Sequence, residues 1–450
     1  VTLTSLEHGI RRLSTAEYGL ILLCFSFCLA GALLLPTDQC PDEAGRLLLS
    51  DWISAAGRLP TGGEKEILID GWGFSYALRP YLSAIVGAAF KSAVALFTDS
   101  PRALLAASRM CSVLSVTGCC IFCLRLGGLL LERRSSALLF ASLVCFLPQV
   151  MFLGMYQNND SLSLFAVSMM LYYMVEGRRQ KWPVKSCVGL AAGISIGLLS
   201  YYSIYGWILM CAFFCIASVL LDGGIFDKKG LILKRGMLIA GLCFLFAGWF
   251  FLRNYFVLDG DVFGLFSELR SREHFRPLGY VRYDYVCLRD SGISIIDFLK
   301  FRDSEWIRLT AQSFVGVFGY MIHYLPLELY RAYGAVLACG TLLALVNAIR
   351  QKQCKMDGLL LLTMVVSIGI TLALHFWQSY ARDYQPQGRY VISLSLLFGY
   401  VIACGLDRIA LPVRRRGKEV GALAPSVALT VIWLLLFAWA FFGTMTRMVG

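Results

Sequence analysis

The sequence is short of charge. Only 16% of its 450 residues are Asp, Glu, Lys or Arg, while 58% are hydrophobic. A soluble domain of this length carries about 25% charged residues, so a soluble enzyme is excluded and a polytopic membrane protein is expected. Histidine is scarcer still. The four present form no H-E-x-x-H and no clustered pair, which argues against a zinc site. No P-loop and no G-x-G-x-x-G occurs, so an ATPase or a Rossmann enzyme has no support. There is no long polar stretch beyond the one from about Asp259 to Glu305, so a single membrane-embedded domain over 1–450 is expected. No internal repeat is visible, which disfavours a transporter built from two halves.

What is present is apolar runs of about 20 residues, the length that crosses a hydrocarbon core of roughly 30 Å. The net charge of +12 lies in short clusters between those runs: "RR" at Arg11, "ERR" at Glu132, "GRRQKWPVK" at Gly177, "DKKGLILKR" at Asp227, "IRQKQCK" at Ile349 and "PVRRRGK" at Pro412. That is the positive-inside pattern and not a nucleic-acid surface. The sixteen cysteines mostly sit in or beside apolar runs and read as small hydrophobes. The C-x-x-C within "CCIFC" at Cys119 has no partner pair, whereas Cys40 and Cys287 fall in outside segments and are placed to pair. The first run, Leu20 to Leu35, is expected to be a retained span and not a cleaved signal.

With the basic loops inside, four polar segments fall outside: 37–76, 156–160, 252–306 and 375–390. Spans are expected near 17–36, 136–156, 161–177, 186–203, 205–221, 237–257, 358–378, 390–409 and 426–447. The N-terminus is inside and the C-terminus outside. Two pairs of runs, 77–97 with 103–126 and 309–325 with 331–349, must each contribute an odd number of crossings. Either one member of each pair is re-entrant or interfacial, or the charge rule fails locally. The expectation is an all-α bundle of 11–13 transmembrane segments, eleven of them fixed by the charge alternation.

All the unusual polar motifs share the outside face. "PDEAGRLLLSDWISAAGRLP" begins at Pro41 and reads as an amphipathic helix along the interface, with Leu48, Leu49, Trp52, Ile53 and Ala56 on its apolar face. Arg46, Ser50, Ser54 and Arg58 lie mostly opposite. Gly57 and Pro60 end it. Asp42 and Glu43 stand in its first turn, where the helix dipole favours anions. One carboxylate suffices for a cap, so the pair points to function. "QPQGRY" (385–390) offers Gln387, Arg389 and Tyr390, with Arg382 seven residues before Arg389. A guanidinium fork matches phosphate oxygens. "FLRNYFVLDGDVFG" places Arg253 and Asn254 near the outer end of a span. "YQNND" supplies Asn158, Asn159 and Asp160, which suit a turn and a cap as well as a site. His375 ends a span, where interfacial packing competes with a role in the site. "GWGFSY" offers Trp72, Phe74 and Tyr76 as sugar-stacking faces or interfacial anchors.

Taken in order, "PDEAGRLLLSDWISAAGRLPTG", "YQNND", "FLRNYFVLDGDVFG", "SFVGVFGYM" and "QGRY" resemble the GT-C superfamily of membrane glycosyltransferases, which includes the protein O-mannosyltransferases and the lipid A aminoarabinose transferases. They resemble more closely a bacterial family of multi-pass proteins grouped with these. The resemblance implies an inverting transfer of a sugar from a polyprenyl-phosphate-linked donor to a cell-envelope acceptor, such as a glycan, teichoic acid, lipid or protein hydroxyl. It also implies a multi-pass protein of a bacterial cell membrane with its site on the extracytoplasmic face. By position Asp42 matches the acidic residue taken as general base, with Glu43 beside it. The absence of W-W-D and of a C-terminal soluble domain argues against transfer to asparagine sequons. Expected partners are the lipid-linked donor, the acceptor and membrane lipid, with no nucleic acid. Arginines can replace a cation, and Asp42, Glu43 and Asp160 leave a divalent cation open as the one cofactor. The competing classes are a flippase for a lipid-linked sugar, a glycan ligase or polymerase, and a non-catalytic assembly subunit.

Overall fold

A computed structural model describes residues 12–223, 227–350, 356–407, 409, 411–415 and 418–448. The clusters at Arg11, 349–355 and 412–418 lie partly or wholly outside the described side chains. The chain is 75% helical. Helix α1 (Thr15–Leu34) starts at a capping box, in which Ser14 and Glu17 satisfy each other's backbone N–H groups. It is followed by α2 (Glu43–Ala56), α3 (Leu82–Ala95) and α4 (Pro101–Leu130). A passage broken before Pro148 comes next, as α5 (Arg134–Cys145) and α6 (Pro148–Leu153). Helices α7 (Asp160–Arg179), α8 (Val184–Leu198), α9 (Tyr205–Leu221) and α10 (Lys228–Val257) then alternate in direction. The second half holds α11 (Leu265–Phe275), α12 (Ile295–Gly316), α13 (Leu327–Arg350), α14 (Gly358–Ala381), α15 (Leu394–Leu406) and α16 (Pro425–Gly443).

Ion pairs identify the two ends of the bundle. At one end Arg178 bridges Asp222 and Asp357 at 2.9 and 2.8 Å, Arg134 approaches Glu17, and Asp407 accepts the backbone N–H groups of Glu132 and Arg133. This end gathers the loops expected inside. At the other end Asn159 reaches Pro80 and Ser200, Arg79 meets Glu268, and Cys287 meets Ala381. Those are the segments expected outside. Helix α7 joins the ends with 20 residues, about 30 Å of rise, which is one hydrocarbon thickness.

At the first doubtful pair, the first residues of α3 lie beside Asn159 and its later turns run along α2, with Ser54 on Ser92 and Lys91 on Asp51. At the second, α12 ends at Gly316 and leads into a small hairpin of strands Val317–Phe318 and His323–Tyr324, and α13 follows. Among the described residues seven helices, counting α9 with the short turn before it and α16 with the one after it, are long and apolar enough to cross a membrane by themselves. Helices α3, α5, α8 and α15 are apolar but shorter.

Helix α2 packs inward through Glu43, Arg46, Leu49 and Ser50, while Leu48 is exposed and Trp52 and Ile53 are half-buried. One expectation is corrected here. Cys40 and Cys287 do not pair: the Cys40 thiol contacts the Pro36 carbonyl, and the Cys287 thiol donates to Ala381 O at 3.2 Å.

Candidate active site

Asp42 precedes α2 in the cap position but does not cap it. Its backbone is left-handed (φ 61°) and its side chain bonds no helix N–H. That conformation costs an Asp about 1 kcal/mol and turns the carboxylate toward the "QGRY" turn. There Arg389 Nη2 donates to Asp42 Oδ2 at 2.6 Å, across 347 positions of chain. The turn is fixed from below, since Gly388 N donates to Ser313 Oγ at 2.7 Å and a Cβ on Gly388 would lie 2.1 Å from Phe314 N. Only glycine fits. Tyr390 receives a second bond from Arg389 Nη2, donates to Gln385 Oε1 and stacks on Tyr201.

Arginine surrounds the carboxylate. Arg46, 6% exposed, lies 4.5 Å over the Tyr76 ring, and Arg79 stands 5.9 Å from the same ring. Burial alone would push the Asp42 carboxyl up, but Arg389, Arg46 and Arg79 together hold it below its ordinary value of 3.8. Asp160, at the start of α7, is buried within electrostatic reach of Arg389, Arg46 and Asp42. Two guanidinium atoms in this cluster, Arg46 Nε and Arg389 Nε, are buried with no hydrogen-bond partner among the described residues. A buried unpaired N–H on a cation is costly, and an anion would supply the missing acceptors.

Glu43 is placed elsewhere. Its carboxylate is fully buried and takes 2.8 and 2.6 Å bonds from Arg109 and a 2.7 Å bond from Gln157 N. Arg109 also donates to Ala32 O and Leu35 O, the open carbonyls at the end of α1. This pair ties α1, α2 and α4 together, so the expectation of two carboxylates sharing one site is corrected. Other expected site residues are scaffold as well. Arg253 holds the Pro60 carbonyl and its neighbour Asn254, and Asn254 holds Val262 O. Asn158 and Asn159 satisfy backbone carbonyls of their own turn and of its neighbours. Trp72 is clasped between loops by Arg272, Tyr283 and Tyr285. Arg382 is exposed, and Gln387 is half-buried at the edge of the turn. His375 is buried against Trp306 and Tyr390, with ring centroids 5.1 and 5.4 Å away. The structure therefore brings together Asp42, Arg46, Tyr76, Asp160, Arg389, Tyr390 and His375.

Arg79, Arg109, Tyr201, Trp306 and Thr310 escaped the sequence reading. Arg109 had a visible signal, a lone cation inside an apolar run. The pattern Gly193–Gly197 (G-x-S-x-G) is no nucleophile elbow, because it lies within α8 and Ser195 Oγ donates to Ala191 O. The one cluster of three metal-ligating groups among the described residues is Cys119, Cys123 and Cys145, buried in α4 and α5 away from Asp42.

No protein-family model matches the chain, and no curated protein matches it. Solved structures do. The oligosaccharyltransferase of Archaeoglobus fulgidus in its apo form superposes with a TM-score of 0.53 at 11% identity, covering 94% of this chain and 55% of that one. AglB from the same organism, in complex with an inhibitory peptide and a dolichol-phosphate, gives 0.50 at 11%, covering 95% and 56%. The complex of that oligosaccharyltransferase with zinc and sulfate gives 0.50 at 11%, covering 93% and 52%. The likeness is one of fold, shared with this archaeal oligosaccharyltransferase. The chain spans a little over half the length of these structures.

Proposed function

We propose that the chain is an inverting glycosyltransferase that moves a sugar from a polyprenyl-phosphate-linked donor to a hydroxyl of a cell-envelope acceptor, on the extracytoplasmic face of a bacterial membrane. The observation that carries this is the meeting of Asp42 with Arg389 beside two buried guanidinium N–H groups that lack partners. The acceptor oxygen bonds to the anomeric carbon as the bond from that carbon to phosphate oxygen breaks, and configuration inverts. Asp42 takes the acceptor proton. The electron pair leaves with the polyprenyl phosphate, whose charge Arg389 and Arg46 hold. Tyr390 and Tyr76 orient these arginines. The basic residues at the opposite end of the bundle support the assignment of the face. The dolichol-phosphate held by AglB supports a lipid-phosphate donor, though the acceptor is not carried over from that protein.

Of the three carboxylates that leave a divalent cation open, two are engaged by arginine. Glu43 is taken up by Arg109 and Asp42 by Arg389, so Asp160 alone of the three carboxylates is without a side-chain partner among the described residues. The charge on the leaving group falls to arginine.

The test mixes purified protein with a polyprenyl-phosphate sugar and candidate acceptors, in detergent and in proteoliposomes. Release of polyprenyl phosphate with sugar on the acceptor supports the transferase. Donor that crosses the bilayer uncleaved would support a flippase and overturn it.

A further inference from the structure

We propose that Trp306, Thr310 and His375 form a niche for the hydroxyls of a sugar ring beside the Asp42–Arg389 pair, an inference that rests on the transferase reading. Each of the three side chains is no more than 8% exposed. Each also buries a polar atom without a hydrogen-bond partner: Trp306 Nε1, Thr310 Oγ1 and His375 Nε2. Buried donors and acceptors are nearly always paired, so three orphans on touching residues call for a ligand that brings its own.

The three are contiguous. Trp306 and Thr310 stand one helical turn apart on the same face of α12. The Trp306 ring stacks on His375 at 28°, and the His375 ring reaches Tyr390, the neighbour of Arg389. The Thr310 carbonyl lies against Gly388, where a Cβ would be 2.5 Å away, so the niche and the arginine turn move as one body. Its chemistry suits a pyranose. An indole N–H donates, while a hydroxyl and an imidazole nitrogen donate or accept. The sugar is that of the donor or that of the acceptor, and the two present the same hydroxyls.

Thr310→Val keeps shape and deletes one orphan atom, while Trp306→Phe deletes the indole N–H together with part of the ring volume. Binding to the purified full-length protein is measured with three probes: bare polyprenyl phosphate, a polyprenyl-phosphate hexose and a free oligosaccharide. Each variant should bind bare lipid within about twofold of wild type and one of the sugar probes roughly three- to tenfold more weakly, the weight of one hydrogen bond. A loss on the lipid-linked hexose assigns the niche to the donor, and a loss on the oligosaccharide assigns it to the acceptor. Equal change on bare and sugar-bearing lipid, or no change on either sugar probe, overturns the niche. The melting temperature gives a second reading. Thr310→Val should melt at or above wild type, because Thr310 Oγ1 has no hydrogen-bond partner among the described residues. A clear drop in this shape-conserving variant would mean that the atom is already satisfied, and would overturn the niche too. If wild type binds neither lipid, it is the transferase reading that fails, and the melting result still judges the niche.

Discussion

Replacing Glu43 with Gln separates a structural carboxylate from a catalytic one. Glu43 is wholly buried with Arg109, and its two oxygens accept three bonds of 2.6–2.8 Å. Charge-assisted bonds are worth about 1.5–3 kcal/mol each, but they are not additive here, and Gln retains part of the geometry. Removing one partner of a buried ion pair costs about 3–5 kcal/mol, since the other charge is left uncompensated. The lower end, about 3 kcal/mol, is expected, a change of roughly 10²-fold in the folding equilibrium. The assay is thermal unfolding in detergent, followed by the fraction that remains monodisperse. Arg109→Gln should cost a similar amount, and the double variant should fall well short of the sum. Asp42→Asn is the contrast. Its carboxylate is 36% exposed, and such a pair contributes at most about 1 kcal/mol. The reasoning is refuted if Glu43→Gln melts like wild type while Asp42→Asn is the variant that unfolds.

Other outcomes follow from the same geometry. Gly388→Ala should cost about 1–3 kcal/mol and most of the activity, because its Cβ would meet backbone atoms of α12 that have no room to move; melting and turnover check it together. Asp42 is held below 3.8, so the acidic limb of the pH–rate profile for donor cleavage should lie below that pH. Arg46→Gln removes one of the guanidiniums responsible and should move the limb upward. Glu268 lies below its ordinary 4.5 because Arg79, Tyr285 and Arg272 outweigh its burial. The stability it lends is therefore present above the unfolded value and lost as pH falls through the folded one, a loss that Glu268→Gln should abolish in acid-melting curves.

The shortage of charge and the recurring apolar runs carried the all-α membrane character of the fold. They could not show how the run 77–97 packs. That depends on α3 lying along α2, a tertiary fact. Asp42 and Arg389 were legible as candidates because each stands where an apolar chain has no local use for it. Glu43 was not separable from Asp42 in one dimension. One residue of helix phase sends it to Arg109, while a left-handed backbone sends Asp42 to Arg389. Arg253 and Trp72 misled for the opposite reason. A buried arginine needs an anion or carbonyls, and here the Pro60 carbonyl sufficed.

The most direct test of the account is donor cleavage by Asp42→Asn with donor binding measured on the same sample. If Asp42 is the base, the variant should bind a polyprenyl-phosphate sugar within about threefold of wild type and release polyprenyl phosphate about 10²–10⁴-fold more slowly. Transfer at the wild-type rate by this variant would contradict the account.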